Sequence, residues 1–284
     1  LFVDGNGSSN NVYLASNGIT IKASAGAVAG DTGNIDGFTF TIVDVSSLQF
    51  AITEGLPLNT VCTSLVTDMS DLFKNNSTFN QDISNWDVSN VTDVSNMFYN
   101  TAFNQNLSNW NVSKVTDMSY MFGGSAFNKD IGNWNVSNVT NMANMFYFSN
   151  FNQDIGNWDV SNVTDMTAMF QGSSFNQDIG SWDVSNVTNM SYMFDSSPFN
   201  QDISSWDVSN VTDMSGLFYE SAFNQDIGSW SVSNVTNMSY MFSDSAFNQN
   251  ISSWGVDGVT NCNSFSDNCP LTEGNTPNFT NCTP

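Results

Sequence analysis

The sequence predicts a repeat solenoid closed by two dissimilar ends, and three observations carry that reading. All eight Trp fall at one spacing: Trp86, Trp110, Trp134, Trp158, Trp182, Trp206, Trp230 and Trp254, each 24 residues after the last. The same step runs through Phe79, Phe103, Phe127, Phe151, Phe175, Phe199, Phe223 and Phe247. The 23 Phe, eight Trp and 13 Met supply a core, and that core is periodic. A fixed unit length is expected where each unit is one coil stacked between two neighbours, because a gained or lost residue would break contacts on both sides.

Eight units of 24 residues thus cover 79–270. With the Phe as position one, the apolar positions are Ile at five, Trp at eight, Val at ten and thirteen, Met at sixteen, and Met-Phe at nineteen and twenty. The segment Ile-x-x-Trp-x-Val ends in alternation, which predicts a short strand with Trp and Val pointing inward. Met-x-x-Met-Phe has the i, i+3, i+4 spacing of one or two helical turns. The Thr before it, such as Thr164, is placed as an N-cap, with Asp165 in the first turn. One short parallel strand and one short helix per coil make a leucine-rich-repeat-like solenoid; a parallel β-helix is the alternative. Either way the Trp form a core ladder at about the 4.8 Å strand spacing.

The ends differ from the units. Residues 1–10 are read as an N-terminal arm whose Leu1, Phe2 and Val3 have no place in the repeat and could add a strand to a neighbouring molecule. Residues 11–60 are read as a small β-rich cap, because "VYLASNGITIKAS" and "FTFTIVDV" alternate like strands around an Asn-Gly turn. Residues 61–78 are a degenerate capping repeat in which Val61 stands for Trp while Met69, Leu72 and Phe73 keep their spacing. Residues 271–284 read as a C-terminal capping loop. The chain starts at Leu1 and carries no signal peptide or long apolar span, as expected of a processed secreted chain or a fragment.

Composition excludes several functions. Four Lys, no Arg and no His stand against 24 Asp and three Glu, a net charge of −23. Nucleic acid is therefore excluded as a partner, since phosphate backbones need clustered Lys and Arg. Direct membrane insertion is not expected, and an anionic membrane surface would be repelled. No Ser-His-Asp or Cys-His pair can form. Carboxylate pairs could do glycosidase chemistry, but here the carboxylates sit at repeated positions, and no enzyme is predicted. Divalent cations and neutral polymers remain open as partners.

Two outward ladders are candidate sites. Asp130, Asp154, Asp178, Asp202 and Asp226 fill position four of consecutive coils. Oxygen ligands at strand spacing can share Ca²⁺, or they form a solvated acidic face; no other cofactor is expected. Asp159, Asp183 and Asp207 at position nine would line the strand face and meet a glycan or protein ligand. The Asn-x-Ser/Thr triplets at Asn90, Asn138, Asn162, Asn186, Asn210 and Asn234 recur because "SNVT" is part of the unit; in a eukaryotic secretory chain they would be glycan acceptors.

Cys62, Cys262, Cys269 and Cys282 lie outside the regular pattern and are disulfide candidates. Cys62 is about 40 Å from the others if coils rise at about 4.8 Å, too far for a bond within one molecule. Two of the other three are expected to pair locally. The remaining thiol and Cys62 are then free, or they meet across a head-to-tail contact between molecules. Such a contact does not close on itself and would build filaments.

The units, of the form "FNQDIGNWDVSNVTDMTAMF", resemble those of BspA-like leucine-rich-repeat surface proteins over 79–270. The segments "NGITIKASAGAVAGDTG" and "VCTSLVTDM" resemble the lead-in of bacterial members. The resemblance implies an extracellular or cell-surface, bacterial, adhesive solenoid. One departure stands out: Val at position thirteen (Val163, Val187) replaces the usual Asn, so its backbone-bonding role is expected to pass to Thr at fourteen or Asn at two.

Overall fold

The computed structural model describes residues 10–284. Leu1, Phe2 and Val3 lie outside the described residues. One apolar core runs from Val43 to Phe265 without a break. Every Trp of the repeat is at most 4 % exposed, and positions one, five, ten, thirteen, sixteen, nineteen and twenty are buried with it, apart from the half-buried Ser266 at twenty of the last coil. The inward set read from the sequence is therefore the core.

The backbone that delivers this set is a different one from that expected. Across 79–270 no segment forms a strand or an α-helix. Each coil is a series of β-turns. In the second coil, Trp110 N–H bonds the Leu107 carbonyl at 3.0 Å, Val115 that of Val112 at 2.9 Å, Met121 that of Met118 at 3.1 Å, and Ser125 that of Phe122 at 3.2 Å. The Ile-x-x-Trp-x-Val segment thus opens on one turn and leads into a second at its Val, with no strand between. Adjacent coils meet in a single parallel bridge at position fifteen, from Asp68 and Asp93 through Asp117, Asn141, Asp165, Asn189, Asp213 and Asn237 to Asn261.

The expected helix fails for a stated reason. Positions eighteen and twenty-two are left-handed in the coils, for example Asn96 at φ 56°, Tyr120 at 55°, Tyr192 at 57°, Gly124 at 62° and Gly172 at 61°. One left-handed residue breaks the run of right-handed dihedrals that a helix needs. The N–H groups then look to the next coil. Met118, Tyr120, Phe122 and Gly124 donate to Asn141, Ala143, Met145 and Tyr147 at 3.0, 2.9, 2.9 and 2.6 Å. A stacked coil has a neighbour to satisfy these groups, so the obligatory pairing of buried amides is met between units and not within one. Met and Phe at i, i+3, i+4 still point inward, because two turns place them so. The chain is accordingly a repeat solenoid, but neither the strand-and-helix coil nor the β-helix describes its backbone.

Thr at fourteen has a corrected role as well. Thr164 caps no helix. Its N–H bonds the Thr140 carbonyl at 2.9 Å, and its hydroxyl donates to the same carbonyl at 3.2 Å. Asn at two also spans coils: Asn128 Oδ1 accepts from Asn152 N–H at 3.0 Å. These are the two residues expected to take over from the missing Asn. From Trp110 onward each indole donates to the position-five carbonyl of the coil before, as Trp158 does to Ile131 at 3.1 Å. The aromatic columns stack in parallel: Phe122 and Phe127 lie 4.0 Å apart between centroids, Phe127 and Phe151 6.2 Å, and Trp230 and Trp254 6.4 Å. The Trp separation exceeds the strand spacing expected of a ladder. Offset stacking permits it, since ring pairs favour centroid distances of about 4.5–7 Å.

The N-terminal cap is mixed rather than wholly β. Strands β1 (Val12–Leu14) and β2 (Ile21–Ala23) form an antiparallel hairpin, and Gly18 in the expected Asn-Gly turn has φ 71°. Strands β3 (Thr32–Ile35) and β4 (Phe38–Ile42) pair antiparallel, and β5 (Val61–Cys62) joins β4 in parallel. Helix α1 (Val45–Thr53), which the β-rich reading missed, starts at Asp44 with a capping box to Ser47. A Ser at the third helical position is a weaker signal than Glu or Gln. The cap gives coil one what a preceding coil would give it: Trp86 Nε1 donates to the Leu58 carbonyl at 2.9 Å.

Residues 271–284 close the other end. Ile251 N–H bonds the Asn275 carbonyl at 3.0 Å. Phe279 packs edge-on against Phe265 at 4.9 Å. Cys262 is disulfide-bonded to Cys282, with Cα atoms 5.9 Å apart. Cys62 is fully buried and Cys269 half-buried. The thiol of Cys62 faces the Ile21 carbonyl at 3.5 Å, and burial pushes its pKa up. Cys62 and the remaining thiol are thus both free in this structure, the first of the two expected alternatives, with Cys62 enclosed by the cap.

Candidate functional site

The two acidic ladders serve their own turns. At position four, Asp130, Asp154, Asp178 and Asp226 each accept from the N–H two residues on, a Gly, at 2.9 Å. Asp202 does the same with Ser204 at 2.9 Å. Such Asx turns fix the chain direction locally. Among the described residues no group of three or more Asp, Glu, Cys or His side chains is gathered for a metal ion.

Position nine lies between two turns, on a segment that forms no strand, so the expected strand face is not formed. Asp159, Asp183 and Asp207 are exposed and accept from Ser161, Ser185 and Ser209 N–H at 3.2, 3.0 and 3.0 Å. Bonds from Ser185 and Ser209 hold the Asp183 and Asp207 carboxyls below their ordinary pKa. In coil one the same position is buried. Asp87 accepts from Ser64 Oγ at 2.6 Å and Ser89 Oγ at 2.6 Å, with the Lys22 ammonium 3.3 Å away. Burial alone raises this carboxyl, but the two serines and Lys22 together outweigh burial and leave it below the ordinary value. Here the ladder anchors the cap.

The Asn of the "SNVT" triplets is also occupied. Asn138, Asn162, Asn186, Asn210 and Asn234 donate to a Ser carbonyl in the preceding coil at 2.7 Å each. At position fifteen Asp and Asn alternate from Asp117 to Asn237, and Asn141 Nδ2 donates to Asp117 at 2.9 Å. Alternation keeps two like charges from facing each other on neighbouring coils.

The surface that remains is one edge of the rod, at positions eighteen, twenty-one and twenty-two. It carries Tyr99, Tyr120, Tyr147, Phe148, Tyr192, Tyr219 and Tyr240, six of the seven Tyr in the chain. Their rings form two runs. Tyr99 and Tyr120 meet at 5.6 Å, Tyr120 and Tyr147 at 6.2 Å, Tyr147 and Phe148 at 4.6 Å. Tyr219 and Tyr240 meet at 6.3 Å. Partial burial raises the Tyr120 and Tyr192 phenols, and contact with the Glu220 carboxylate raises that of Tyr219. All three stay protonated and able to donate at neutral pH. Between the runs, Asp195 accepts from Gln171 and Ser196; burial pushes its carboxyl up despite these bonds. Sequence reasoning passed over this edge because its residues change from coil to coil. The available signal was that six Tyr fall on just two register positions.

Coils of turns, a cap at each end and an edge that varies define a closed repeat solenoid. The family described as "Mycoplasma protein of unknown function, DUF285" matches residues 45–150, 124–220 and 173–279, and the chain belongs to it. No curated protein and no solved structure matches the chain.

Proposed function

We propose that this is an extracellular surface solenoid that binds as a single rod through its aromatic edge and catalyses nothing. The observation that carries the reading is the contrast between coils that repeat almost letter for letter and an edge that does not. No two coils share the same residues at positions eighteen, twenty-one and twenty-two, and that is where half-buried and exposed rings lie outside the core. The repeated carboxylates are engaged in Asx turns, and the chain has no His or Arg to assist an acid-base step. The Cys262–Cys282 disulfide suits an oxidising compartment outside the cell. The resemblance to BspA-like surface proteins points to adhesion on a bacterial surface.

End-to-end self-assembly is the second reading. It is favoured by Phe38, Phe50 and Leu56, exposed at 65, 62 and 45 % on the cap, and disfavoured by a C-terminal end already sealed by its own loop. Beads coated with the protein test the first reading. They are expected to adhere to epithelial surfaces and to lose adhesion when Tyr120, Tyr192 and Tyr240 are changed to Asn. Parent beads that bind no better than albumin-coated ones contradict it. Light scattering decides the second: a monomer mass at high protein concentration removes it.

A further inference from the structure

We infer that the aromatic edge is a binding track for a linear polysaccharide of uncharged pyranose units, lying along the rod. This rests on the adhesive reading and names its ligand. Four observations support it.

The first is backbone strain. Tyr120, Tyr192, Tyr240 and Phe148 have φ of 55°, 57°, 59° and 47°. A left-handed residue with a side chain costs about 1–2 kcal/mol, and Gly or Asn bears that conformation far more easily. Sister coils show the easier choice at the same positions, with Asn96, Asn144 and Gly216 at eighteen and Gly124 and Gly172 at twenty-two. Ala168, Ser196, Glu220 and Ser264 share the conformation, so it belongs to the register position, and the bulky rings kept there are the part that points to a function.

The second is the space made for the rings. A Cβ on Gly123 would lie 3.0 Å from the Tyr99 ring, one on Gly172 2.8 Å from Phe148, and one on Gly216 would overlap Tyr192. These three rings therefore lie across a glycine of the next coil. That lays them against the rod instead of leaving them upright in solvent. The aromatic position alternates between twenty-one and eighteen over Tyr99, Tyr120 and Tyr147, and between eighteen and twenty-one over Tyr192, Tyr219 and Tyr240. The rings zigzag along the axis in two stretches separated by coil four, where Ala168, Gln171 and Gly172 stand, and a linear polymer lying along the rod is the ligand that can follow both.

The third is charge. The chain carries −23, and Asp195, Glu220 and Asp244 flank the second run of rings. A uronic-acid or sulfated polymer would be repelled.

The fourth is the small apolar area. Within the repeats only Phe148, at 56 %, and Tyr240, at 43 %, are large apolar side chains left exposed among the described residues. A stable protein interface buries roughly 800 Å² per partner around an apolar centre. Partly exposed rings bearing phenol hydroxyls fit a pyranose better. Its C–H face stacks on the ring, and its hydroxyls accept from Tyr donors and donate to Glu220 beside them.

Titration calorimetry with uncharged linear hexasaccharides tests this: β- and α-glucan, chito-, manno- and galacto-oligosaccharides, with oligogalacturonate as the anionic control. At least one neutral hexamer is expected to bind, at least ten-fold more tightly than its dimer and than oligogalacturonate. Tyr192→Asn with Tyr240→Asn is expected to weaken it ten-fold or more. Both variants place at position eighteen a residue that sister coils already carry, and an unchanged melting temperature confirms the fold. No heat with any neutral hexamer overturns the proposal, as does neutral binding untouched by the double variant. If the coated beads still adhere in that case, the adhesive reading survives and only the glycan is lost; if they do not, both fall.

Discussion

The interior of the rod and its edge obey opposite rules. Inside, Trp, Val and Phe recur in every coil and are almost wholly buried. At the edge, a Tyr in one coil is answered by Gly, Asn or Ser in another, and several rings sit on a left-handed backbone. Each interior residue touches the coils above and below, so a change there is felt twice. An edge residue is only partly covered by its neighbours and can vary. The regular part of the chain therefore specifies the shape, and the irregular part holds the candidate binding surface.

The largest expected effect lies inside. Trp158→Ala leaves a cavity and removes the donor to the Ile131 carbonyl. A loss of about 3–5 kcal/mol is expected in urea unfolding. A loss below about 1 kcal/mol would break the contrast between interior and edge. Next is the C-terminal staple. Cys282→Ser opens a bond between residues 20 apart, a loop whose closure contributes about 3 kcal/mol. Contacts in a solenoid run only between neighbours, so hydrogen exchange should rise in coil eight and stay slow in coils three to five.

Asp87 and Asp183 sharpen the comparison further, since both occupy position nine. Asp87→Ala strands Ser64 and Lys22 beneath the cap and should cost about 2–3 kcal/mol. Asp183→Ala should stay within about 0.5 kcal/mol. The pH dependence follows from the same site. Asp87 has a folded pKa below its unfolded one, so its stabilisation is present above about pH 4 and is lost as pH falls through the folded value. Asp195 is the reverse: its pKa is raised. Its contribution is full below about pH 4 and is lost as pH rises through the folded value. Acid melts of Asp87→Asn and Asp195→Asn should therefore diverge from the parent in opposite directions.

Much of the fold was legible in the sequence. The unit length, the inward residues, the Asn-Gly hairpin and the local pairing of cysteines follow from spacing alone. The backbone was not. Met-x-x-Met-Phe satisfies the helical period, and a pair of turns with left-handed Asn, Gly or Tyr places the same residues inward. Apolar spacing does not register the sign of φ, and Tyr at position eighteen hides a site that Gly would have marked. Helix α1 was missed because its capping box uses Ser47. The candidate site was hidden by the regularity that revealed the fold: Asp159, Asp183 and Asp207 stood out as a ladder, while the tyrosines looked like noise.

The central claim is that the edge rings are held against the preference of their backbone and contribute little to the fold. The melting temperature of the triple variant Tyr120→Asn, Tyr192→Asn, Tyr240→Asn tests it most directly. Relief of strain at three left-handed positions is expected to leave the melting temperature unchanged or raise it by a few degrees, about 2–4 °C per kcal/mol in a chain of this size. A fall of more than about 5 °C would show that the rings hold the coils together, and the distinction between a building interior and a binding edge would fail.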